Sequence, residues 1–397
     1  MTKPRETKPL RDASLEAGDR RSASSTPDGP QSLTRAPDPG ARRESRPVSG
    51  QDRTDRPDLI GMTHPELEDF FTGLGQERFR ATQVMKWIHQ GLEDSFAEMT
   101  NLSKVLREEL SERASVRFPQ IVDTVRSEDG STKFLLALDD GLHIETVLIP
   151  EDDHDTLCVS TQVGCAMGCR MCRTAQIGLR RDLSTGEIVS QLLTVRRELP
   201  DSRITNVVFM GMGEPLANFR NTVNAVRIFC HPNGPQISWR RLTVSTCGLV
   251  PEIRKLGEEV RVKLAVSLNA VTDEQRNRIM PVNRRYPIAE LIEALKNYPL
   301  PRRDRITVEY VLVDGFNDSD GDARQLVRLL NPIRAKVNLI ALNEGGTGSW
   351  RPPPTERVLR FQEILMSRSL MAIVRKSRGA DISAACGQLA AGTIARS

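Results

Sequence analysis

The stretch Thr156–Cys172, "TLCVSTQVGCAMGCRMC", joins a short apolar run to three cysteines at CxxxCxxC spacing, Cys165, Cys169 and Cys172. Gly164–Cys172 contains no aspartate, glutamate or histidine. Thiolates select soft or borderline metals, which leaves zinc and iron-sulfur clusters. A structural zinc site is closed by four ligands, usually in two pairs distant in sequence, and no second pair exists here. Cys158 could complete a four-thiolate set, but it lies in the apparent strand "TLCVST" and would have to leave it. Three cysteines on one loop suit three corners of a 4Fe-4S cube whose fourth iron stays open to another ligand. Unpaired structural thiols so clustered would be an oxidation liability.

Outward from this loop the pattern is strand, loop, helix, repeated. "TLCVST", "ITNVVFMG", "RLTVST", "VKLAVSL", "ITVEYVLV" and "KVNLIAL" read as strands, each followed by a helical segment. Ser184 with Glu187, and Thr272 with Gln275, predict capping boxes. Six alternations predict an α/β fold with a parallel sheet, strands reading as continuous apolar runs; pattern alone does not separate barrel from open sheet. In either, ligands gather at the strands' carboxyl ends, where the cysteine loop, "GMGEP", "STCG", "SLNA" and "ALNEGG" fall.

The chain has 397 residues, 38% apolar, enough for a large buried core. Residues 1–57, rich in Pro, Gly, Ser and charge, read as a disordered tail. Residues 58–117 read as a helical domain with Thr63 and Ser103 as N-caps. Residues 118–150 hold a β-hairpin about the turn "DDG", 151–380 the alternating core, and 381–397 a C-terminal segment. The seven cysteines are an odd number, unlike a secreted disulfide framework. No apolar run long enough for a membrane span and no secretory h-region is present, so a cytoplasmic location is expected. A net charge of +4 says little by itself about nucleic acid.

"CVSTQVGCAMGC", "TAQIGLRRDL", "ITNVVFMGMGEPLAN" and "VRKSRGADISAACGQLA" resemble the radical S-adenosylmethionine (SAM) enzymes, and within them the RlmN/Cfr family of RNA adenosine methyltransferases, over roughly residues 60–392. The resemblance implies a partial (β/α)6 barrel, one 4Fe-4S cluster on Cys165, Cys169 and Cys172, and two SAM molecules per turnover. It implies Cys386 as the methyl-carrying cysteine, Cys158 as the thiol that resolves the adduct through a transient Cys158–Cys386 disulfide, and Glu145 as proton acceptor. Gly213 and Glu214 match the clamp on the methionine end of SAM; Ser245, Ser267, Leu268, Asn269 and Asn343 match further SAM contacts. The implied substrates are a 23S rRNA adenosine in the peptidyl-transferase loop and the adenosine beside the anticodon of some tRNAs, methylated at carbon 2. A monomer reduced by an electron donor such as flavodoxin is expected.

Cfr-type methylation of carbon 8 and a non-catalytic zinc-bearing RNA-binding module are the rival readings. Three departures from the family pattern stand out: Met171 before the third cysteine, Asn269 in "SLNA", and the loop "NEGGTGSWRPPP" after Leu342. For RNA, Arg170, Arg173, Arg180, Arg181, Arg240, Arg241, Arg284, Arg285, Arg375, Lys376 and Arg378 are expected to converge on the strand-end face and contact phosphates.

Overall fold

The computed structural model describes residues 56–343 and 350–390. Most of the expected tail, the greater part of the divergent loop after Asn343 and the last seven residues lie outside the described residues.

The six expected strands form as β4 (Asp155–Cys158), β7 (Ile204–Phe209), β8 (Leu242–Thr246), β9 (Lys263–Ser267), β10 (Ile306–Leu312) and β11 (Ala335–Ala341). They pair in that order, all parallel, and the three-residue β12 (Ala372–Val374) adds a seventh. Ahead of them β1 (Gln120–Arg126), β2 (Thr132–Ala137) and β3 (His143–Pro150) form an antiparallel meander whose last strand pairs with β4, so ten strands make one sheet. The predicted hairpin is β2–β3; β1 was not expected. A separate pair, β5 (Gln162–Val163) with β6 (Arg181–Asp182), braces the cysteine loop.

One face of the parallel strands is apolar as expected: in β10, Ile306, Val308, Tyr310 and Leu312 are all buried. The other face departs from a continuous apolar run. Ser267 on β9, Glu309 on β10 and Asn338 on β11 stand in register, and Asn338 Nδ2 donates to Glu309 Oε1 at 2.9 Å. Glu309 is buried, and removal from water pushes its carboxyl above the usual range.

Helix starts follow the sequence chemistry. Thr63 with Glu66 and Ser184 with Glu187 form capping boxes, and Ser103 accepts from the Leu106 amide. The box at Thr272 is only half formed. Its side chain accepts from Gln275 N, while Gln275 turns its own amide to Val271 N, Phe316 O and Asp322. At Ser319, Asp322 completes a box that the sequence reading did not single out.

The helices His64–Gly73, Phe79–His89 and Lys104–Arg113 pack on the barrel flank, where the ring of His64 stacks on His231 at 4.8 Å. His89 is fully buried and neither ring nitrogen has a hydrogen-bond partner among the described residues; burial and the neighbouring His231 push its pKa down to about 3. A depressed basic group favours the folded state above its unfolded pKa of about 6.5 and loses that advantage as pH falls toward the folded value. Between pH 6.5 and 4, stability should therefore drop by up to about 1.4 kcal/mol per pH unit through this group. In urea titrations His89→Leu should flatten that dependence; an unchanged slope would show that His89 is not its source.

Candidate active site

The cysteine loop leaves β4 and is held by backbone contacts. Cys165 N donates to Gly178 O at 3.1 Å, Arg170 N to Ile279 O at 3.0 Å and Cys172 N to Cys169 O at 3.1 Å. Gly164 has φ +78°, and a Cβ there would meet the Gly178 oxygen at 1.7 Å, so only glycine lets the loop close. Met167, Cys169 and Met171 pack with Cys247, Ala270, Ile279 and Met280, giving the loop an apolar lining.

Burial raises the Cys165 thiol to about 12, with Glu214 and Cys172 contributing, and raises Cys169 further through Cys172 and Cys165. Cys165 and Cys169 thus sit in a hollow where burial and mutual repulsion outweigh the one opposing cation, Arg276, the environment that a cationic iron-sulfur group would neutralise. Among the described residues no three His, Cys, Asp or Glu side chains converge on one point as a single-ion site requires. A cluster distributes its ligands over separate irons, so the donor set fits a cluster held by Cys165, Cys169 and Cys172. Cys158 stays in β4 as its last residue, which removes the fourth ligand from the zinc reading.

Glu214 lies beside this loop at the carboxyl end of β7. It is buried; Oε1 accepts from Leu216 N at 3.0 Å and Oε2 from Cys247 N at 2.8 Å, while its own amide donates to Gln162. Gly213, at φ +101°, brings the chain so close to Gln162 that a Cβ would lie 2.6 Å from that residue's Cβ. Burial raises the Glu214 carboxyl above its ordinary range, and an ammonium group placed there would hold it ionised. Ser245 and Ser267 are half-buried at the carboxyl ends of β8 and β9. Asn269 differs from expectation: at φ 57° its amide accepts from Val311 N at 2.9 Å and donates to Met280 Sδ at 3.3 Å, so it serves the strand-end turn. The neighbouring Leu268 is buried, its carbonyl accepting from Arg276.

Cys386 comes to the same face from the far end of the chain. Arg173 N, one residue past Cys172, donates to Gly387 O at 2.7 Å; Thr174 Oγ1 donates to Leu389 O at 2.7 Å; Asn343 Nδ2 donates to Cys386 O at 3.1 Å. The residue is exposed in this concavity, yet surrounding protein shields its thiol from bulk water and raises it to about 12, with Glu309, Cys172 and Cys158 adding to the effect. Cys158 is buried, and desolvation pushes its thiol up to about 12. Thr146 Oγ1 donates to its carbonyl at 2.6 Å.

Glu145 on β3 is buried rather than solvated, the ordinary state of a lone hairpin glutamate. Its carboxylate accepts from Ala390 N at 2.7 Å and pairs with Lys133 Nζ at 3.2 Å, and Lys133 also donates to Ser383 O at 3.4 Å. The expected residues of the loop, the hairpin and the C-terminal segment are thereby joined through a short set of contacts.

Residues 57–116 match the ribosomal RNA large subunit methyltransferase N-terminal domain, and residues 159–327 match the radical SAM superfamily. The dual-specificity RNA methyltransferase RlmN of Geobacter sulfurreducens is 52% identical over 334 residues, covering 84% of this chain and 91% of the relative. This chain belongs to the RlmN family. The namesake from Syntrophotalea carbinolica is 52% identical over 339 residues, 85% of this chain and 91% of its own. A crystal structure of a radical SAM methyltransferase from Sphaerobacter thermophilus superposes with TM-score 0.80 at 45% identity, covering 84% of this chain and 99% of that one. The fold of this RlmN-family chain is therefore the radical SAM α/β fold.

Two residues of the site were not singled out by the sequence. Arg276 is fully buried and donates to the carbonyls of Cys247, Ser267 and Leu268, tying the ends of β8 and β9 together. Lys133 is the other: Glu145 faces Leu135 across the hairpin, and Lys133, paired with Val147, reaches the carboxylate diagonally, a contact for which the sequence carries no signal.

The basic residues do not all converge. Arg181 is held by Asp140 and Glu187 at 2.6 and 2.8 Å, and Arg240 and Arg241 enter β8, placing them at the amino ends of the strands. Arg378 turns to Glu151 at 3.8 Å and Asp129 O at 3.5 Å.

Replacing Lys133 with Met would leave the Glu145 carboxylate buried without its cation, a cost of about 3 kcal/mol or more for a broken buried pair. Faster hydrogen exchange at residues 380–390 than in the native chain is the expected readout. Equal exchange would show that the pair does not hold the C-terminal segment.

Proposed function

We propose that this chain methylates carbon 2 of adenosine in 23S rRNA and in tRNA, with Cys386 as methyl carrier. The observation that carries the reading is the stitching of the Cys386 loop to the residues that follow Cys172, at 2.7 Å from Arg173 N to Gly387 O. When bound, the cluster and SAM supply the methyl group and the carbon-centred radical chemistry that an electron-poor ring carbon requires.

The protein's own groups do the rest. Cys165, Cys169 and Cys172 hold the cluster, and Glu214 with the close backbone at Gly213 receives the amino group of SAM. Ser245, Ser267, Leu268 and Asn343 line the approach to it, whereas the inward side chain of Asn269 leaves only its backbone for that role. Cys386 sulfur loses its proton and takes the methyl group. Once a carbon–carbon bond to the base exists, Glu145 accepts the proton from carbon 2; Lys133 and the Ala390 amide fix its carboxylate against the C-terminal segment. Cys158, once deprotonated, then attacks Cys386 sulfur: the sulfur–sulfur bond forms as the sulfur–carbon bond breaks, the bonding pair passes to the former methylene carbon, which takes up a proton to become methyl, and the methylated base leaves. The Cys158 thiol is buried and high, so it reacts only when a base removes its proton. Two SAM molecules per turnover, a flavodoxin-like electron donor, a monomeric chain and a cytoplasmic setting complete the proposal; no helix among the described residues is long and apolar enough to cross a membrane.

Anaerobically reconstituted protein, given SAM, a reductant and an rRNA fragment carrying the peptidyl-transferase loop, should yield 2-methyladenosine on nuclease digestion. Recovery of 8-methyladenosine instead would assign the Cfr-type activity. With Cys158→Ala a covalent protein–RNA adduct should accumulate while product formation falls by at least about two orders of magnitude, the scale of losing a catalytic group. Normal turnover without adduct would remove Cys158 from the mechanism.

A further inference from the structure

A parallel sheet that collects its chemistry at the carboxyl ends of the strands collects their amino ends on the opposite face, and there cations accumulate. β8 is entered through Trp239–Arg241, with the Arg240 guanidinium 4.6 Å from the Trp239 ring centroid. Arg261, leading into β9, covers the same ring at 3.7 Å, and β9 opens on exposed Lys263. β10 is preceded by exposed Arg302, Arg303 and Arg305. Their loop is fixed by Arg334, which donates to the carbonyls of Leu300, Pro301 and Arg302 at 2.9 Å.

The barrel flank manages its arginines differently. There Arg197 pairs with Asp94, Arg227 with Glu259 and Arg357 with Asp320. At the amino-end face, Arg240, Arg241, Arg261, Arg302, Arg303 and Arg305 form no ion pair among the described residues. Asp304 is the one carboxylate between Arg302 and Arg305. Asp153, held mainly by His154, also feels Arg241, and the excess of positive charge that remains repels itself and is offset by a polyanion or by counterions. The tryptophan ring gathers two guanidiniums, Arg240 and Arg261, and holds them together at the strand entry, where they are offered to phosphates.

We propose that this amino-end face is a second RNA-contact surface, which grips the phosphate backbone of a structured RNA independently of sequence while the target adenosine occupies the cysteine-bearing face. This rests on the RNA-methyltransferase reading and extends it. Strands of five to seven residues separate the two faces by about 20 Å at 3.3 Å per residue, so an RNA that reaches both must extend at least that far beyond the target loop, which a long fragment does and a hairpin of a few base pairs does not.

The test compares the wild type with the combined variant Arg240→Gln, Arg241→Gln, Arg302→Gln, Arg303→Gln, all exposed and outside the proposed catalytic set. Binding of a long 23S rRNA fragment is followed against salt concentration, and methylation is measured on that fragment and on a short hairpin carrying the target loop. Loss of four phosphate contacts should lower the salt-dependence slope by about three. KM for the long fragment should rise at least about tenfold, as weakened phosphate contact predicts, with kcat, and kcat/KM on the hairpin, unchanged. An unchanged slope and KM on the long fragment would overturn the surface. So would equal losses on both RNAs, which would indicate a disturbed barrel. If the wild type methylates neither RNA the methyltransferase reading fails, while the slope comparison still decides the surface.

Discussion

Two hydrogen bonds carry the architecture of the site: Arg173 N donates to Gly387 O, and the Ala390 amide donates to the Glu145 carboxylate, each 2.7 Å long. They bring the two ends of the sulfur chemistry together, although the companion bond from Thr174 to Leu389 spans 215 residues of sequence. Everything between must fold before these contacts form, because the loop comes from the first barrel strand and Cys386 from beyond the last. The loop-closure entropy of such a pairing grows slowly with length, and the intervening sheet has already met most of that cost.

The parallel core was legible because its strands are short apolar runs punctuated by glycine-bearing loops and capped helices, and each of the six formed where the sequence put it. The cysteine loop was legible for a chemical reason: three thiols with no other donor admit few partners. What escaped were contacts that exist only after folding. Nothing in "STKFLLAL" announces that Lys133 will find Glu145, and nothing in "DEQRNRI" announces that Arg276 will be fully buried beneath three strand-end carbonyls. Asn269 is the complementary case. A polar residue at a strand end looks available for a ligand, yet its left-handed backbone and inward amide make it part of the turn.

The polar face of the barrel is the second departure from pattern. Glu309, Asn338 and Ser267 in register give a strand interior that an apolar core would not tolerate, and burial, with Glu309 adding to it, raises the Cys386 thiol. A strand face of this kind suits polar occupants. The arginines divide between the two faces for a similar reason: a residue preceding a strand and one following it end a whole strand apart, a distinction that a count of basic residues does not make.

The reversal of direction between β3 and β4 has an evolutionary corollary. In an all-parallel barrel only the loops that follow strands can supply the catalytic face. Here an antiparallel neighbour brings residues from the beginning of a strand to the place where β4 ends, and Glu145 and Cys158 arrive from opposite directions. Inheritance of the cofactor loop is thereby separated from inheritance of the meander. A change in the hairpin can therefore alter proton handling and the seat of the C-terminal segment while leaving the cysteine loop of this chain untouched.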